Sequence, residues 1–154
     1  MGLTIRHAHP SDYGRVIQHV NAWWDEREMA PMLPKLFFLH FEGTSFVAED
    51  ADGKLVAFLI GFLSQTDPDE AYIHFVGVAP EQRGSGVARE LYERFSDVVR
   101  AEGRRIMRCV TSPANTASIA FHEAMGFTVD RVAEDYDGPG EDRVLFVRRL
   151  DPAP

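Results

Sequence analysis

Residues 76–88, Val-Gly-Val-Ala-Pro-Glu-Gln-Arg-Gly-Ser-Gly-Val-Ala, restrict the fold more than any other part of the chain. An apolar, β-branched run stops at Pro80, two glycines follow with one residue between them, and an amphipathic pattern then begins. That order reads as a strand, a tight loop and the first turn of a helix. Glycine accepts positive φ and lets a ligand approach the main chain, so Gly84 and Gly86 can aim successive N–H groups at one spot. A helix opening near Val87 adds unpaired N–H groups and the positive end of its dipole. Arg83 adds a full positive charge. The stretch predicts an anion site suited to a pyrophosphate.

Two phosphate loops are excluded. A dinucleotide fingerprint requires a third glycine, or a small residue, where Arg89 stands, and an acidic residue near the end of the next strand; residues 108–112 contain none. A Walker loop requires Gly-Lys-Ser/Thr, which does not occur. Three strand-like stretches in succession before the loop also depart from a βαβ nucleotide fold.

The rest of the chain supplies a single domain's worth of pattern. Residues 3–7 alternate like a short half-buried strand. Pro10, Ser11 and Asp12 mark a helix start, with Ser11 or Asp12 able to cap it. Tyr13, Val16, Ile17, Val20 and Trp23 or Trp24 form its apolar stripe. Adjacent helical residues point about 100° apart, so one tryptophan enters the core and the other is left to line a groove. Residues 36–41 form a short helical or irregular segment. Strands follow at 45–49, at 54–64, which is nearly all apolar as a central strand should be, and at 72–79. Val87, Leu91, Phe95 and Val98 or Val99 give a second long helix ending at Gly103. A strand at 105–111, a helix from Pro113 to Gly126, and strands at 127–136 and 143–150 complete the chain.

Sixteen basic and twenty-four acidic residues among 154 give a net charge of -8. A general nucleic-acid binder needs clustered Lys and Arg, so that class is excluded. The balance suits a cationic amine, or simply a soluble surface. One cysteine, Cys109, precludes an internal disulfide and fits a reducing compartment. With no secretory core and no run long enough to span a membrane, the expected location is cytoplasmic and no membrane partner is expected.

Arg83-x-x-Gly86-x-Ala88 after a Val-x-Val strand resembles the acyl-CoA-binding loop of the GNAT superfamily of N-acyltransferases. A second anchor, residues 115–127, is similar to that family's Asn-x-x-Ala-x-x-Phe-Tyr-x-x-x-Gly-Phe segment. The order β-α-α-β-β-β-α-β-α-β-β also resembles the family and covers nearly the whole chain. The implied fold is α+β (mixed α/β): a mixed, mostly antiparallel central sheet with a splayed strand pair and helices on both faces. It would form one domain over residues 1–150, with a frayed tail at 151–154.

The resemblance implies acetyl-CoA as co-substrate, no metal, and transfer of the acetyl group to a primary amine by direct attack in a ternary complex. It implies that Val76 and Val78 pair with the pantetheine arm through the main chain. Arg83, Gly84, Ser85, Gly86, Val87 and Ala88 hold the pyrophosphate, and Asn115 and Phe121 contact the cofactor. His74 shares a strand face with Val76 and is the expected base, with Glu49 in reserve. His122 stands where the family has tyrosine, and is either the acid for the departing thiolate or a spacer beside the sulfur. Trp23, Trp24 and Tyr136 are candidate acceptor contacts. The acceptor is a small amine or a peptide N-terminus. The sequence leaves open a homodimer, and also a non-catalytic acyl-CoA-binding domain of the same fold.

Overall fold

Each apolar pattern folds as its period dictates in the computed structural model, which describes residues 2–151. Met1 and residues 152–154, most of the expected tail, lie outside the described residues. The elements are β1 (Thr4–His7), α1 (Tyr13–Trp23), α2 (Leu36–His40), β2 (Phe46–Glu49), β3 (Leu55–Leu63) and β4 (Glu70–Val78). They continue with α3 (Val87–Ala101), β5 (Ile106–Thr111), α4 (Thr116–Ala124), β6 (Thr128–Ala133) and β7 (Arg143–Arg149). The order is the expected one. Strands are hydrogen-bonded in the order β1-β2-β3-β4-β5-β7-β6. The β1/β2, β2/β3, β5/β7 and β6/β7 pairs are antiparallel, and β4/β5 is parallel because a helical crossover joins these two strands. The α+β fold with a mostly antiparallel sheet is thus the observed one.

Backbone contacts divide the chain into two compact units, Met1–Phe62 with His74–Val98 and Leu63–Ile73 with Val99–Pro154. In the first unit β3 is buried from Leu55 to Ile60, as its continuous apolar run requires. The Phe58 ring lies 6.0 Å from Trp23 and 5.8 Å from Phe75, both near-parallel to it. Neither Ser11 nor Asp12 caps α1. The buried Asp12 carboxylate instead accepts two hydrogen bonds from the Arg6 guanidinium, each 2.9 Å, and one from the His9 N–H at 2.8 Å. A bidentate charged partner outcompetes a helix end for the same oxygens.

In the second unit a parallel ladder joins Glu70–Tyr72 of β4 to Ile106–Arg108 of β5. Arg104 Nη1 donates to the carbonyls of Ser64, Asp67 and Glu70, tying down the turn that leads into β4. Asn115 caps α4 by accepting the Ser118 N–H at 3.1 Å. The helix closes with Gly126 at φ 92°, the Phe127 N–H on the His122 carbonyl and the Gly126 N–H on that of Glu123. That is a Schellman ending, and it explains the glycine at this position. The strand expected over 127–136 stops at Ala133, because Asp135 turns the chain at φ 52° and its carboxylate accepts the Gly140 N–H.

Candidate functional site

The loop between β4 and α3 presents its amides to solvent. Gly84 and Gly86 have φ of 84° and 92°. The N–H groups of Gln82, Arg83 and Ser85 bond back to Ala79, Pro80 and Gln82 and close the turn. Val87 N–H lies 3.4 Å from Ser85 Oγ, and the first main-chain bond into α3 is from Glu90 to Gly86. The N–H groups of Gly84, Gly86, Ala88 and Arg89 find no acceptor among the described residues. Two left-handed glycines therefore aim free amides outward beside a helix N-terminus, an arrangement that suits an anion.

The Arg83 side chain does not join them. Its Nη2 donates to the main-chain oxygen of Trp23 at 2.6 Å. Trp23 is the last residue of α1, where carbonyls lack helical partners and carry the negative end of the dipole. The charge counted toward the anion site in the sequence is engaged at this helix end.

On β4, burial alternates strictly: Phe75 and Gly77 are buried, while His74, Val76 and Val78 are half-buried on the other face. The expectation that His74 and Val76 share a face follows from this pleat. The His74 ring stacks on Phe37 at 4.4 Å, and its Nε2 lies 2.7 Å from the Met32 carbonyl oxygen. A carbonyl only accepts, so Nε2 carries a proton and donates it to Met32, leaving Nδ1 out of this contact. Phe41 lies 5.2 Å from Phe37, and Phe62 5.5 Å from Phe41, which extends an aromatic row away from the imidazole.

The two tryptophans have separate fates. Trp23 is 8% exposed and packs in the core between His19 and Phe58, so it does not present its ring to an acceptor. Trp24 is half-buried, edge-on to Phe75 at 4.9 Å and close against Gly77. Glu49 is bound by Arg15 at 2.8 Å and by Arg6 at 3.2 Å, and these pairs hold its carboxyl below the usual range. It is a structural anion and not a reserve base.

Sequence reasoning missed two parts of this unit. Asn21, near the end of α1, accepts the Met29 and Ala30 N–H groups on its side-chain oxygen and the Glu26 N–H on its main-chain oxygen. It shapes the 24–35 segment that carries the Met32 carbonyl to His74, and nothing in the apolar periodicity marks it. Gly77 was legible in principle, since a glycine inside a strand marks close approach of a neighbour.

Asn115, Phe121, His122 and Tyr136 belong to the second unit. The Asn115 side-chain oxygen is committed to capping α4. Phe121 lies edge-on to His122 at 5.4 Å. His122 is 8% exposed, stacked on Phe146 at 4.8 Å, with Nδ1 2.8 Å from the Ser118 carbonyl oxygen. Burial lowers its affinity for a proton, and the bond to Ser118 offsets this only in part. Tyr136 is 45% exposed in the β6–β7 loop and hydrogen-bonded to Tyr72, whose hydroxyl is pushed above the usual range, mostly by burial. Among the described residues no cluster of His, Cys, Asp or Glu could hold a metal ion.

Residues 8–127 match the Acetyltransferase (GNAT) family. The chain is 39% identical over 85 residues to an L-2,4-diaminobutyric acid acetyltransferase of Nocardia farcinica, covering 55% of this chain and 44% of that protein. It is 28% identical over 124 residues to an N-terminal acetyltransferase complex ARD1 subunit homolog of Dictyostelium discoideum, covering 75% and 58%. The chain thus spans about half the length of the curated relatives it matches. Its fold is similar to that of yncA from Salmonella typhimurium, solved with its cofactor acetyl-CoA, with a TM-score of 0.76, 21% identity, and coverage of 100% and 97% of the two chains. With a family match over most of its length, the chain belongs to the GNAT acetyltransferase family.

Proposed function

We propose that residues 1–150 form one acetyltransferase domain that moves the acetyl group of acetyl-CoA to a primary amine within a ternary complex. The observation that carries this reading is the set of unpaired amides of Gly84, Gly86, Ala88 and Arg89. They are ready for the diphosphate of the cofactor, while Val76 and Val78 on β4 offer main-chain groups to its pantetheine arm. Asn115 and Phe121 are assigned to the cofactor by the family resemblance.

The amine nitrogen attacks the thioester carbonyl carbon, the oxyanion is stabilised by a main-chain N–H such as that of Val76, and the C–S bond breaks as the proton left on the attacking nitrogen passes to the departing sulfur, giving the amide and the CoA thiol. The attacking nitrogen must first be neutral. For an alkylamine that costs roughly 4.6 kcal/mol at neutral pH, and for an α-amino group about 1 kcal/mol. His74 accepts this proton on Nδ1, its Nε2–H held by the Met32 carbonyl. His122, buried and with lowered proton affinity, serves as a packing group and not as the acid for the thiolate. The acceptor class is a small amine or amino acid; the aromatic row beside His74 supplies an apolar wall for its body. A cytoplasmic location suits the single, buried, unpaired Cys109.

The test is release of CoA thiol from acetyl-CoA over a panel of amino acids, polyamines, aminoglycosides and short peptides. At least one acceptor should be turned over, and His74→Ala should lower kcat more for acceptors of high pKa than for peptides. Measurable CoA affinity without turnover of any acceptor would make the chain a binding domain instead.

A further inference from the structure

We infer that the Arg83 side chain is a positioning residue, linking the phosphate loop to the C-terminal end of α1, and is not itself a ligand of the cofactor's phosphates. The inference rests on the acetyltransferase reading and adds a role that the loop's sequence does not show. The contact is a 2.6 Å charge-assisted bond from Nη2 to the Trp23 carbonyl, across 60 positions of chain. The receiving end is itself fixed. The Trp23 ring packs on Phe58, the Trp24 N–H bonds to the Asn21 carbonyl at 3.0 Å, and the Trp24 ring closes over Gly77 between Val76 and Val78. The end of α1 therefore touches β3 through the Trp23 ring, β4 through the ring of Trp24 just beyond it, and the loop through the Trp23 carbonyl.

The same helix end leads into the 24–35 segment, whose Met32 carbonyl orients His74. One guanidinium thus fixes the offset between the amides that hold the diphosphate and the backbone that orients the proposed base. Displacing either by a fraction of an ångström misaligns thioester and amine. The grip on the diphosphate is left to main-chain N–H groups.

The test compares wild type with Arg83→Met, which removes donor and charge, and Arg83→Lys, which keeps both. Steady-state kinetics are measured with acetyl-CoA and with S-acetylpantetheine, a thioester that lacks the diphosphate, and the dependence of CoA affinity on salt is followed by calorimetry. Arg83→Met should lose about tenfold or more in kcat/KM with both thioesters, as expected for a hydrogen bond to a charged donor. It should raise KM for the amine and leave the salt dependence of CoA binding unchanged, and Arg83→Lys should recover most of the loss. A loss seen with acetyl-CoA but absent with S-acetylpantetheine, or a flattened salt dependence, would make Arg83 a phosphate ligand and overturn the inference. Wild-type kinetics from Arg83→Met would overturn it too. If Arg83→Met does not fold, Arg83→Gln, neutral and too short to reach the carbonyl, takes its place with the same outcomes. A wild-type protein that binds CoA but turns over neither thioester would sink the acetyltransferase reading first and separately.

Discussion

Adding one methyl group at Gly77 gives a sharp test of how the α1 end is seated on β4. A Cβ there would lie 2.5 Å from Phe58 Cε1, 2.8 Å from Phe58 Cζ and 2.9 Å from the Trp24 ring edge. Phe58 is fully buried between Trp23 and Phe75, so it has no room to retreat; Trp24, half-buried, would have to move. Restoring ordinary contact at 3.4 Å requires a shift of about 1 Å at Phe58. Overpacking of this kind costs roughly 1–3 kcal/mol. Replacing a glycine inside a strand returns roughly 0.5–1 kcal/mol by restricting the unfolded chain. The net expectation for Gly77→Ala is about 1–2 kcal/mol of destabilisation, or a Tm lower by about 2–8 °C for a chain of this size. The assay is thermal and urea unfolding of Gly77→Ala, Phe58→Leu and the double mutant. Phe58→Leu removes the clashing ring edge, so the double mutant should be about 1 kcal/mol more stable than the sum of the single changes predicts. A Tm at or above wild type for Gly77→Ala, or strict additivity in the cycle, would refute the packing argument.

The other expectations concern the second unit and the response to acid. Asn115→Ala should destabilise the protein by about 1 kcal/mol through loss of the α4 cap, measured as a urea midpoint shift with unchanged m; Asn115→Asp, which keeps the acceptor, should be nearly silent. His122 is depressed in the folded state, so the unfolded chain takes up its proton first and stability should begin to fall as the pH drops below about 6.5. Asp12, which burial raises but Arg6 and the His9 N–H pull down more strongly, and Glu49 are also depressed, and their contribution disappears only as pH falls below about 4. Urea unfolding from pH 8 down to about 2 should therefore show two descending steps, of which His122→Phe removes the upper; a flat wild-type profile between about pH 7 and 5 contradicts the burial of that imidazole.

Period and punctuation made the fold legible. The β-branched run into Pro80, the stripe of Val87, Leu91 and Phe95, and glycines at both helix ends each determine local structure through short-range sterics, and each element appears in its expected place. The amide geometry of Gly84 and Gly86 was legible for the same reason, since positive φ at such spacing leaves few other loops. Side-chain destinations were not. Arg83 reads as a cation beside a phosphate loop, yet which oxygen it meets is decided by a helix end 60 positions away. Asp12 reads as a cap until a strand brings Arg6 alongside. The burial of His122 depends on Phe127 and Phe146, one of them on the last strand, and no local pattern reports it.

The distribution of charge explains how a chain of net charge -8 can suit a polyanionic cofactor without a cluster of lysines. Repulsion from distant carboxylates is screened beyond roughly 8 Å at physiological ionic strength, so contact terms decide the outcome at the loop. There, main-chain N–H dipoles act at hydrogen-bond distance, and Arg83 neutralises the negative end of α1 that would otherwise oppose them. A patch of mobile cations would attract any phosphate. Amides fixed by two left-handed glycines accept only an anion whose oxygens match their spacing, so the selectivity of such a loop lies in backbone conformation. Under the proposed function, the net negative charge would then favour the other reactant, an amine that arrives protonated.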